Sequence, residues 1–383
     1  MSYKEVPSKL PHVGTTIFTV MSALAEQHKA INLSQGFPNF NPSDRLVSLV
    51  SHYMHAGFNQ YSPMPGVLRL RQRLSEKLER TYQVSYDPDT EITITAGGTQ
   101  AIFCAIAAFI SPGDEAIILE PAYDSYAPAI EINGGIVRPH RLRAPDYQVN
   151  WDEVGKLISS RTRIIIINTP HNPSGKVLLE EDMQRLQDLI EGTDIIVISD
   201  EVYEHLIYDG QEHQSILRYP ALRARSLAVY SFGKTLHATG WKTGYCVGPA
   251  YLTKEFRKVH QFNVFSANMP LQQAIADYIE DEETYLSLPA FYQRKRDYFL
   301  KAMKGSRFIP LACEGTYFQL FDYSKISDLP DDQFAKELTI QHGVAAIPVS
   351  SFYTGGCEDK VIRLCFAKTE DILAKAGELL RKI

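Results

Sequence analysis

A lysine in a segment of small residues is the feature of this sequence with the clearest chemical meaning. Ser231 stands three residues before Lys234, and a second lysine, Lys242, follows eight residues later. The apolar run Leu227–Tyr230 leads into the segment and is typical of a buried strand, so Lys234 is expected at that strand's end. Burial or a cationic neighbour disfavours the charged form of a lysine and turns its amine into a nucleophile that attacks carbonyl carbons.

The residues around Lys234 are suited to holding a phosphate beside that amine. Ser231 offers a hydroxyl and Lys242 a positive charge, and a Schiff-base lysine beside a phosphate-binding group is typical of a pyridoxal-phosphate site. The Gly-Lys-Thr at 233–235 also occurs in nucleotide-binding P-loops, but there a glycine precedes the Gly-Lys pair by five residues, and Ala228 occupies that position. For this segment taken alone, an ordinary surface loop with two solvated lysines is the alternative.

A second candidate site lies where a strand turns into a helix. Glu91–Thr95 has the pattern of a strand and Ala101–Phe109 that of an apolar helix, with Gly98, Thr99 and Gln100 between them. Unpaired amides and the helix dipole converge at such a junction, so a phosphate-binding turn is predicted there, although a simple tight turn is equally consistent with the motif. The glycines do not form the G-x-G-x-x-G fingerprint of a dinucleotide site.

Further polar residues follow other apolar runs that are typical of buried strands. These are Tyr123 after Glu115–Leu119, Asn172 after Ile164–Ile167, and Asp200 and Tyr203 after Ile195–Ile198. Strands that alternate with helices form a mostly parallel sheet covered on both faces, so the sequence predicts an α/β fold. Since ligands bind at the carboxyl ends of such strands, these side chains are expected to meet Gly98 and Lys234 at one edge of the sheet.

Composition excludes several classes of partner. The chain has 383 residues and a net charge of −6, without a basic run that would indicate a nucleic acid or a membrane surface. The longest apolar run, Ala101–Ile110, is too short to cross a bilayer. Five cysteines without a Cys-x-x-Cys pair favour reduced thiols in a cytoplasmic protein, and no metal site is expected.

Several spaced motifs together resemble the class I/II aminotransferases of fold type I, which use pyridoxal phosphate. In chain order they are Gly98-Thr99, Tyr123, Asn172-Pro173-Ser174-Gly175, Asp200-x-x-Tyr203, Ser231-x-x-Lys234 and Ile362-Arg363-Leu364. The resemblance covers essentially the whole chain. Within the family, residues 32–38 and 239–242 look most like the branch of bacterial methionine aminotransferases and kynurenine/glutamine transaminases, in which Lys242 replaces the arginine of many class I members.

The resemblance implies how the chain is divided. Residues 46–285 would form a large cofactor-binding domain whose mostly parallel sheet is covered by helices, and residues 286–383 a smaller α+β domain. Residues 1–45 would join the small domain and contact the partner of a homodimer. The elements predicted in the small domain are strand Gly315–Phe321, helix Asp331–His342, strands Val344–Ile347 and Val361–Phe366, and helix Thr369–Ile383.

The resemblance also assigns roles around the cofactor. Lys234 is the catalytic residue, which would bind pyridoxal phosphate covalently and move the proton of the substrate's Cα. Asp200 would pair with the pyridine nitrogen, Asn172 and Tyr203 with the phenolic oxygen, and Tyr123 would stack on the ring. The phosphate would be bound by Gly98, Thr99, Gln100, Ser231, Lys242 and Tyr61 of the partner subunit.

For the substrate, the resemblance implies that Arg363 binds the α-carboxylate through parallel N–H bonds, assisted by the Gly36 amide and by Asn172. Phe18 and Phe265 fall where this branch lines its pocket with aromatic side chains. The expected reaction is transamination of an apolar or aromatic amino acid, such as methionine, phenylalanine or tyrosine, with a 2-oxo acid.

Two other functions compete with transamination. A cysteine-conjugate β-lyase would use the same cofactor site but release ammonia and pyruvate. A transcription regulator with an aminotransferase-like domain would need a helix-turn-helix region, and only about 30 residues precede the Asn32-Leu33 motif. The segment Gln261–Leu271 contains no basic residue where dicarboxylate-specific members carry a second arginine, which favours an apolar donor.

Overall fold

The computed structural model describes residues 6–383 of the chain. Its α-helices are α1 (Ile17–Gln27), α2 (Asp44–His55), α3 (Leu68–Tyr82), α4 (Gly98–Phe109), α5 (Tyr126–Ile132), α6 (Trp151–Leu157), α7 (Glu180–Ile190), α8 (Pro220–Arg223), α9 (Phe232–Thr235), α10 (Ala250–Asn263), α11 (Met269–Tyr278), α12 (Glu283–Leu286), α13 (Leu288–Ala302), α14 (Asp331–His342) and α15 (Glu370–Leu380). Its strands are β1 (Ile31–Asn32), β2 (Ile92–Thr95), β3 (Glu115–Glu120), β4 (Ile136–Arg141), β5 (Thr162–Asn168), β6 (Ile196–Asp200), β7 (Ser226–Ser231), β8 (Gly244–Val247), β9 (Ile309–Pro310), β10 (Phe318–Asp322), β11 (Val344–Ala345), β12 (Ile347–Pro348) and β13 (Val361–Cys365). Across residues 6–383, none of the helices combines the length and the apolar character that a membrane span needs.

Seven strands form the central sheet, in the order β2-β8-β7-β6-β5-β3-β4. The strands from β7 to β4 run parallel, whereas β8 runs antiparallel to both of its neighbours, β2 and β7. Strand β2 therefore points the same way as the parallel strands, and its carboxyl end lies at the same edge. This mostly parallel, helix-covered sheet confirms the predicted α/β fold.

Both faces of the central sheet are buried. In β5, Ile165 and Ile167 belong to one apolar cluster, while Ile164 and Ile166 belong to a second cluster on the opposite face. Helix α7 contributes to the first cluster and α4 to the second. Because successive side chains of a strand point to opposite faces, a strand covered on both sides is apolar at every position. The uninterrupted isoleucine run therefore predicts a central strand correctly.

The carboxyl-terminal residues form a smaller group of strands. Strands β12, β13, β10 and β9 make an antiparallel sheet, and β1 pairs in parallel with β11, with Ile31 opposite Val344. Helix α1 packs against α14, and Met21 shares an apolar cluster with Ala335 and Ile347. The amino-terminal segment thus packs onto the carboxyl-terminal strands, while the division at residues 45 and 285 stays a prediction.

Some elements differ from the sequence pattern. The run Val344–Ile347 forms two short strands, β11 and β12, which belong to different sheets. The pattern also indicates no strand at β4 or β8. Strand β4 contains Pro139, which is tolerated because β4 lies at the edge of the sheet. Strand β8 is only four residues long and opens with Gly244, so its periodicity is too short to detect.

Candidate active site

A cavity of about 310 Å³ opens at the carboxyl edge of the central sheet. It is lined by most of the residues that the sequence singles out: Phe18, Gly36, Gly98, Thr99, Tyr123, Asn172, Asp200, Tyr203, Ser231, Lys234, Lys242 and Arg363. Most of these residues come from the ends of β2, β3, β5, β6 and β7. Lys242 precedes β8, Phe18 lies on α1, and Gly36 and Arg363 belong to the smaller group of strands and its connections. The parallel sheet therefore brings the predicted residues to one place, as its topology requires.

Lys234 extends from α9, the four-residue turn directly after β7. Its Nζ donates to the hydroxyl of Tyr317 at 2.9 Å and lies 3.5 Å from the carbonyl oxygen of Gly36. Neither partner is charged, and Lys234 forms no ion pair within residues 6–383. Burial lowers the pKa of Lys234 to about 8. Roughly a tenth of the amine is then neutral, and hence nucleophilic, at pH 7.

Asp200 ends β6 and is buried. The Tyr126 hydroxyl donates to its Oδ2 at 2.5 Å, and the backbone N–H of Val202 donates to its Oδ1 at 3.3 Å. Burial raises the pKa of Asp200 to about 6, against the effect of these two hydrogen bonds. A cation beside this carboxylate would lower that pKa again, so Asp200 is suited to a protonated ring nitrogen.

The turn between β2 and α4 forms one end of the cavity. Gly97 has a φ of +85°, and a Cβ on Gly98, the first residue of α4, would lie 2.9 Å from Cγ1 of Val202. Cβ of Ser231 lies 4.0 Å from that point, and Cε of Lys242 lies 3.7 Å from a Cβ placed on Gly97. Lys242 forms no ion pair in the described part of the chain. A helix start, a hydroxyl and an unpaired ammonium together suit a phosphate.

Arg363, on β13, is buried at another wall of the cavity. Its Nη1 donates to Oδ1 of Asn172 at 2.7 Å and its Nη2 to the carbonyl oxygen of Ser34 at 3.1 Å, whereas its Nε has no partner among residues 6–383. Burial lowers the pKa of Arg363 to about 10. The ring centroids of Phe318 and Phe18 lie 3.8 and 5.2 Å from Cζ of Arg363. This arrangement suits a carboxylate ligand.

Two tyrosines supply hydroxyl groups at the cavity. The hydroxyl of Tyr123 lies 3.3 Å from that of Thr99. The ring of Tyr203 packs edge-on against Tyr317, with centroids 5.2 Å apart, and its centroid lies 5.4 Å from Nζ of Lys234. Burial raises the pKa of both Tyr123 and Tyr203, so both hydroxyls stay protonated at neutral pH and can donate hydrogen bonds.

Three residues that the sequence singles out lie outside this cavity. The side chain of Gln100 turns back, accepting from the backbone N–H of Ala96 and donating to Asn263, which leaves only its backbone for a phosphate. Tyr61 is 81% exposed and packs against Phe265, which is 51% exposed. Both lie on the surface of their own chain. The contact of Tyr61 is expected from the partner subunit and stays a prediction, whereas Phe265, expected in the pocket lining, does not line the cavity of its own chain.

Comparison with known proteins identifies the family. Residues 28–379 match the family model for aminotransferase class I and II. The chain belongs to the class I and II aminotransferases. The methionine aminotransferase of Escherichia coli (strain K12) is 53% identical over 98% of this chain and 98% of its own. The human kynurenine–oxoglutarate transaminase 1 is 34% identical over 94% of this chain and 93% of its own.

Solved structures of the family share the fold of this aminotransferase. YbdL from Escherichia coli, for which a methionine aminotransferase function has been identified, has a TM-score of 0.97 and 52% identity over 100% of both chains. A single mutant of the Thermus thermophilus aspartate aminotransferase has a TM-score of 0.90 and 27% identity, over 99% of this chain and 100% of the other. The resemblance to fold type I is thereby confirmed.

Class I and II aminotransferases depend on pyridoxal phosphate, and the cavity of this aminotransferase fits that group. The helix start at Gly98 and the unpaired Lys242 suit its phosphate, and the aldehyde would react with Lys234. The buried Asp200, whose pKa is raised by burial, suits its ring nitrogen.

Sequence patterns alone missed three residues that organise this site. Asn168, at the end of β5, accepts from the backbone N–H of Asn172 and donates to the carbonyl oxygen of Asp200, each at 2.8 Å. Tyr126 holds the Asp200 carboxylate, and Tyr317 contacts the amine of Lys234. The strand-end position of Asn168 was the available signal for that residue. The two tyrosines act across long sequence separations and carry no local signal.

Proposed function

We propose that this aminotransferase uses pyridoxal phosphate to transfer the amino group of methionine, and of phenylalanine or tyrosine, to a 2-oxo acid. One observation carries the proposal: three buried or partly buried charged groups, Lys234, Asp200 and Arg363, line one cavity without an ion-pair partner in the described residues. Ionisable groups left uncompensated at one place are expected where a charged ligand supplies the missing partners.

The residues of the chain divide the work between them. When bound, pyridoxal phosphate supplies an electron sink for the carbanion that forms as the substrate's Cα loses its proton. Nζ of Lys234, in its neutral form, takes that proton and later releases it. Asp200 would keep the ring nitrogen of the cofactor protonated, and Arg363 would hold the amino acid by its α-carboxylate, which orients the substrate for reaction.

The side chains that line the cavity favour an apolar amino donor, because each cationic side chain already has another role in the proposal. Lys234, Lys242 and Arg363 line the cavity, and the proposal assigns them to proton transfer, the phosphate and the α-carboxylate. No cationic side chain of the cavity remains to bind the side-chain carboxylate of a dicarboxylic amino acid. Phe18 and Phe318 line the cavity with aromatic rings. An unpaired side-chain carboxylate in such a place costs several kcal/mol, whereas a thioether or a phenyl ring gains from burial and from sulfur–aromatic contact.

The relatives point to the same donors. The similar Escherichia coli protein is a methionine aminotransferase, and the similar human protein is a kynurenine–oxoglutarate transaminase, whose donor is aromatic. Both are transaminases, so a cysteine-conjugate β-lyase is not proposed for this chain.

A panel of amino acids assayed against several 2-oxo acids tests the proposal. Methionine and the aromatic donors should exceed aspartate in kcat/KM by at least about tenfold, which corresponds to roughly 1.4 kcal/mol of transition-state preference. Aspartate equal to methionine would refute the apolar pocket while leaving the aminotransferase assignment intact. Failure of every donor to convert the bound cofactor to its amine form would refute transamination itself.

We also propose that the enzyme acts as a cytoplasmic homodimer. The exposed aromatic pair of Tyr61 and Phe265, together with Phe262 at 87% exposure, is a surface of the kind that subunits bury. Light scattering at assay concentration should give twice the mass of one chain, and a fully active monomer would contradict the proposed dimer.

The proposed cytoplasmic location rests on the five cysteines, which are free thiols in the structure. Cell fractionation checks that location.

A further inference from the structure

The nearest hydrogen-bond partner of the catalytic amine is Tyr317, which the proposed chemistry does not use. Its hydroxyl accepts a hydrogen bond from Nζ of Lys234 at 2.9 Å and donates one to the carbonyl oxygen of Gly36 at 2.6 Å. A tyrosine hydroxyl has a single proton, so donation to the carbonyl leaves only lone pairs for the amine. The hydrogen bonds therefore run in one direction, from Lys234 through Tyr317 to Gly36.

The backbone directly before Tyr317 is held in a strained conformation. Thr316 has a φ of +67°, a conformation that β-branched residues rarely adopt. Its N–H donates to the carbonyl oxygen of Leu206 at 2.9 Å, and its carbonyl oxygen accepts from the Tyr208 hydroxyl. Strain of this kind persists where the surroundings over-determine the conformation, and it collects at functional sites.

Tyr317 also connects the amine to the strands that hold the substrate's carboxylate site. It directly precedes β10, which pairs with β13, the strand of Arg363. Its carbonyl oxygen accepts from the N–H of Phe366 at 3.0 Å, just beyond β13. The residue that contacts Lys234 therefore stands on the same strand pair as the guanidinium, and its hydroxyl reaches the Gly36 segment.

The role of Tyr317 is not that of a base. The side chain is fully buried, and burial raises the pKa of Tyr317 well above its ordinary value. The phenol thus keeps its proton at every pH at which the enzyme works. What it offers to Lys234 is a fixed acceptor in a fixed place.

We propose that Tyr317 is a positioning residue for Lys234: its hydroxyl holds the ε-amine beside Gly36 whenever that amine is not bonded to the cofactor, and so aims it for proton transfer. The aiming rests on the proposed function, because it assumes that Lys234 moves the Cα proton. The hydrogen bond by which Tyr317 holds the amine does not depend on the proposed function, because it forms in the protein without cofactor.

Tyr317→Phe tests the holding, with Tyr292→Phe as its matched control. Tyr292 is also fully buried, its ring lies 5.7 Å from that of Tyr317, and its hydroxyl pairs with His237 instead of Lys234. The readout is the pH dependence of pyridoxal-phosphate capture by the full-length apoprotein, trapped with borohydride and quantified by mass. An acceptor stabilises an ammonium more than a neutral amine, so its loss should move the midpoint down by about 0.5 to 1 pH unit. Tyr292→Phe should leave the midpoint unchanged.

The aiming is tested by turnover of α-deuterated methionine in the holoenzyme. Tyr317→Phe should lower kcat about tenfold with little change in KM, and it should increase the isotope effect because proton transfer becomes slower. An unchanged midpoint, or an unchanged isotope effect, overturns the inference, as does an equal response of Tyr292→Phe. A wild-type enzyme that transaminates no donor would instead refute the proposed function, and the capture midpoint would still decide whether Tyr317 holds the amine.

Discussion

Two lysines of this aminotransferase differ in whether a counter-charge is present: Lys77 has a carboxylate partner, and Lys234 has none among residues 6–383. Lys77 belongs to a buried ion-pair cluster, which we define as Lys77, Tyr82, Glu204 and Tyr245. Its Nζ lies 2.7 Å from Oε1 of Glu204, and the hydroxyls of Tyr82 and Tyr245 donate to the same carboxylate at 2.6 and 3.2 Å. Lys234 has only a hydroxyl and a carbonyl oxygen as partners.

The carboxylates of the two regions differ in the same way. Burial alone would raise the pKa of Glu204, but the charge of Lys77 and the groups around it hold that pKa well below its usual range. Asp200 forms no ion pair among residues 6–383, and burial raises its pKa to about 6. Burial therefore does not distinguish a structural charge from a reactive one, whereas the presence of a counter-charge does. The charged groups of the cavity are left without an ion-pair partner in residues 6–383, as the proposed binding of a charged ligand requires.

The sharpest test of this difference is the loss of each lysine's amine. Lys234→Ala should reduce turnover by at least about a thousandfold, because no other amine in the cavity is placed to move the proton. The same change should cost little stability, since it removes a group without a counter-charge. Steady-state kinetics and thermal unfolding measure the two effects. Borohydride labelling should map to Lys234, and labelling at Lys77 or Lys242 would contradict the assignment.

Lys77→Met should show the reverse behaviour. Removing one partner of a buried ion pair leaves Glu204 without the ammonium of Lys77, which costs about 3 to 5 kcal/mol in the free energy of unfolding. Urea unfolding measures the loss, and the pH dependence of cofactor capture should not change. A loss below about 1 kcal/mol would show that the pair is dispensable.

A double variant separates the charge from the packing of this cluster. In Lys77→Met/Glu204→Gln the neutral amide oxygen can still accept from Tyr82, so more than half of the single variant's stability loss should return. If the losses of the two single variants simply add, the cluster is held by packing and not by charge.

Asp200→Asn removes the uncompensated carboxylate of the cavity. A charge-assisted hydrogen bond to a ring nitrogen is worth about 1.5 to 3 kcal/mol, so kcat should fall about 10- to 100-fold. Cofactor affinity should fall less, because Lys234 and the phosphate contacts remain. Equilibrium dialysis and steady-state kinetics compare the two losses, and near-native turnover would show that Asp200 has no electronic role.

The smallest expected effect is a pH dependence. Lys234, with a pKa of about 8, is protonated and unreactive at lower pH and becomes neutral as the pH rises through 8. Capture of pyridoxal phosphate by the apoprotein should therefore accelerate about tenfold between about pH 7 and pH 9 and then level off. A rate that keeps rising toward pH 10, as for a solvated lysine, would place Lys234 with the ordinary lysines.

Sequence patterns determined five of the seven strands of the central sheet, all except β4 and β8, and most of the cavity. Apolar runs such as 164–167 mark strands covered on both faces, and the carboxyl ends of parallel strands must meet at one edge. That rule alone placed Asp200 and Lys234 together, although they belong to different strands. It could not place Tyr61, whose expected contact depends on a second chain, or Phe265, which was expected in the pocket lining and lies outside the cavity.

Only the tertiary structure decided which charges are paired. Nothing local distinguishes Lys77 from Lys234 as titrating groups, because the pairing partner of Lys77 lies 127 residues away and the contact of Lys234 with Tyr317 spans 83 residues. A pKa depends on burial and on every charge nearby, and both are properties of the folded chain. The position of Lys234 at the carboxyl edge of the sheet could thus be predicted from the sequence, but the lowered pKa of its amine comes from the packing around it.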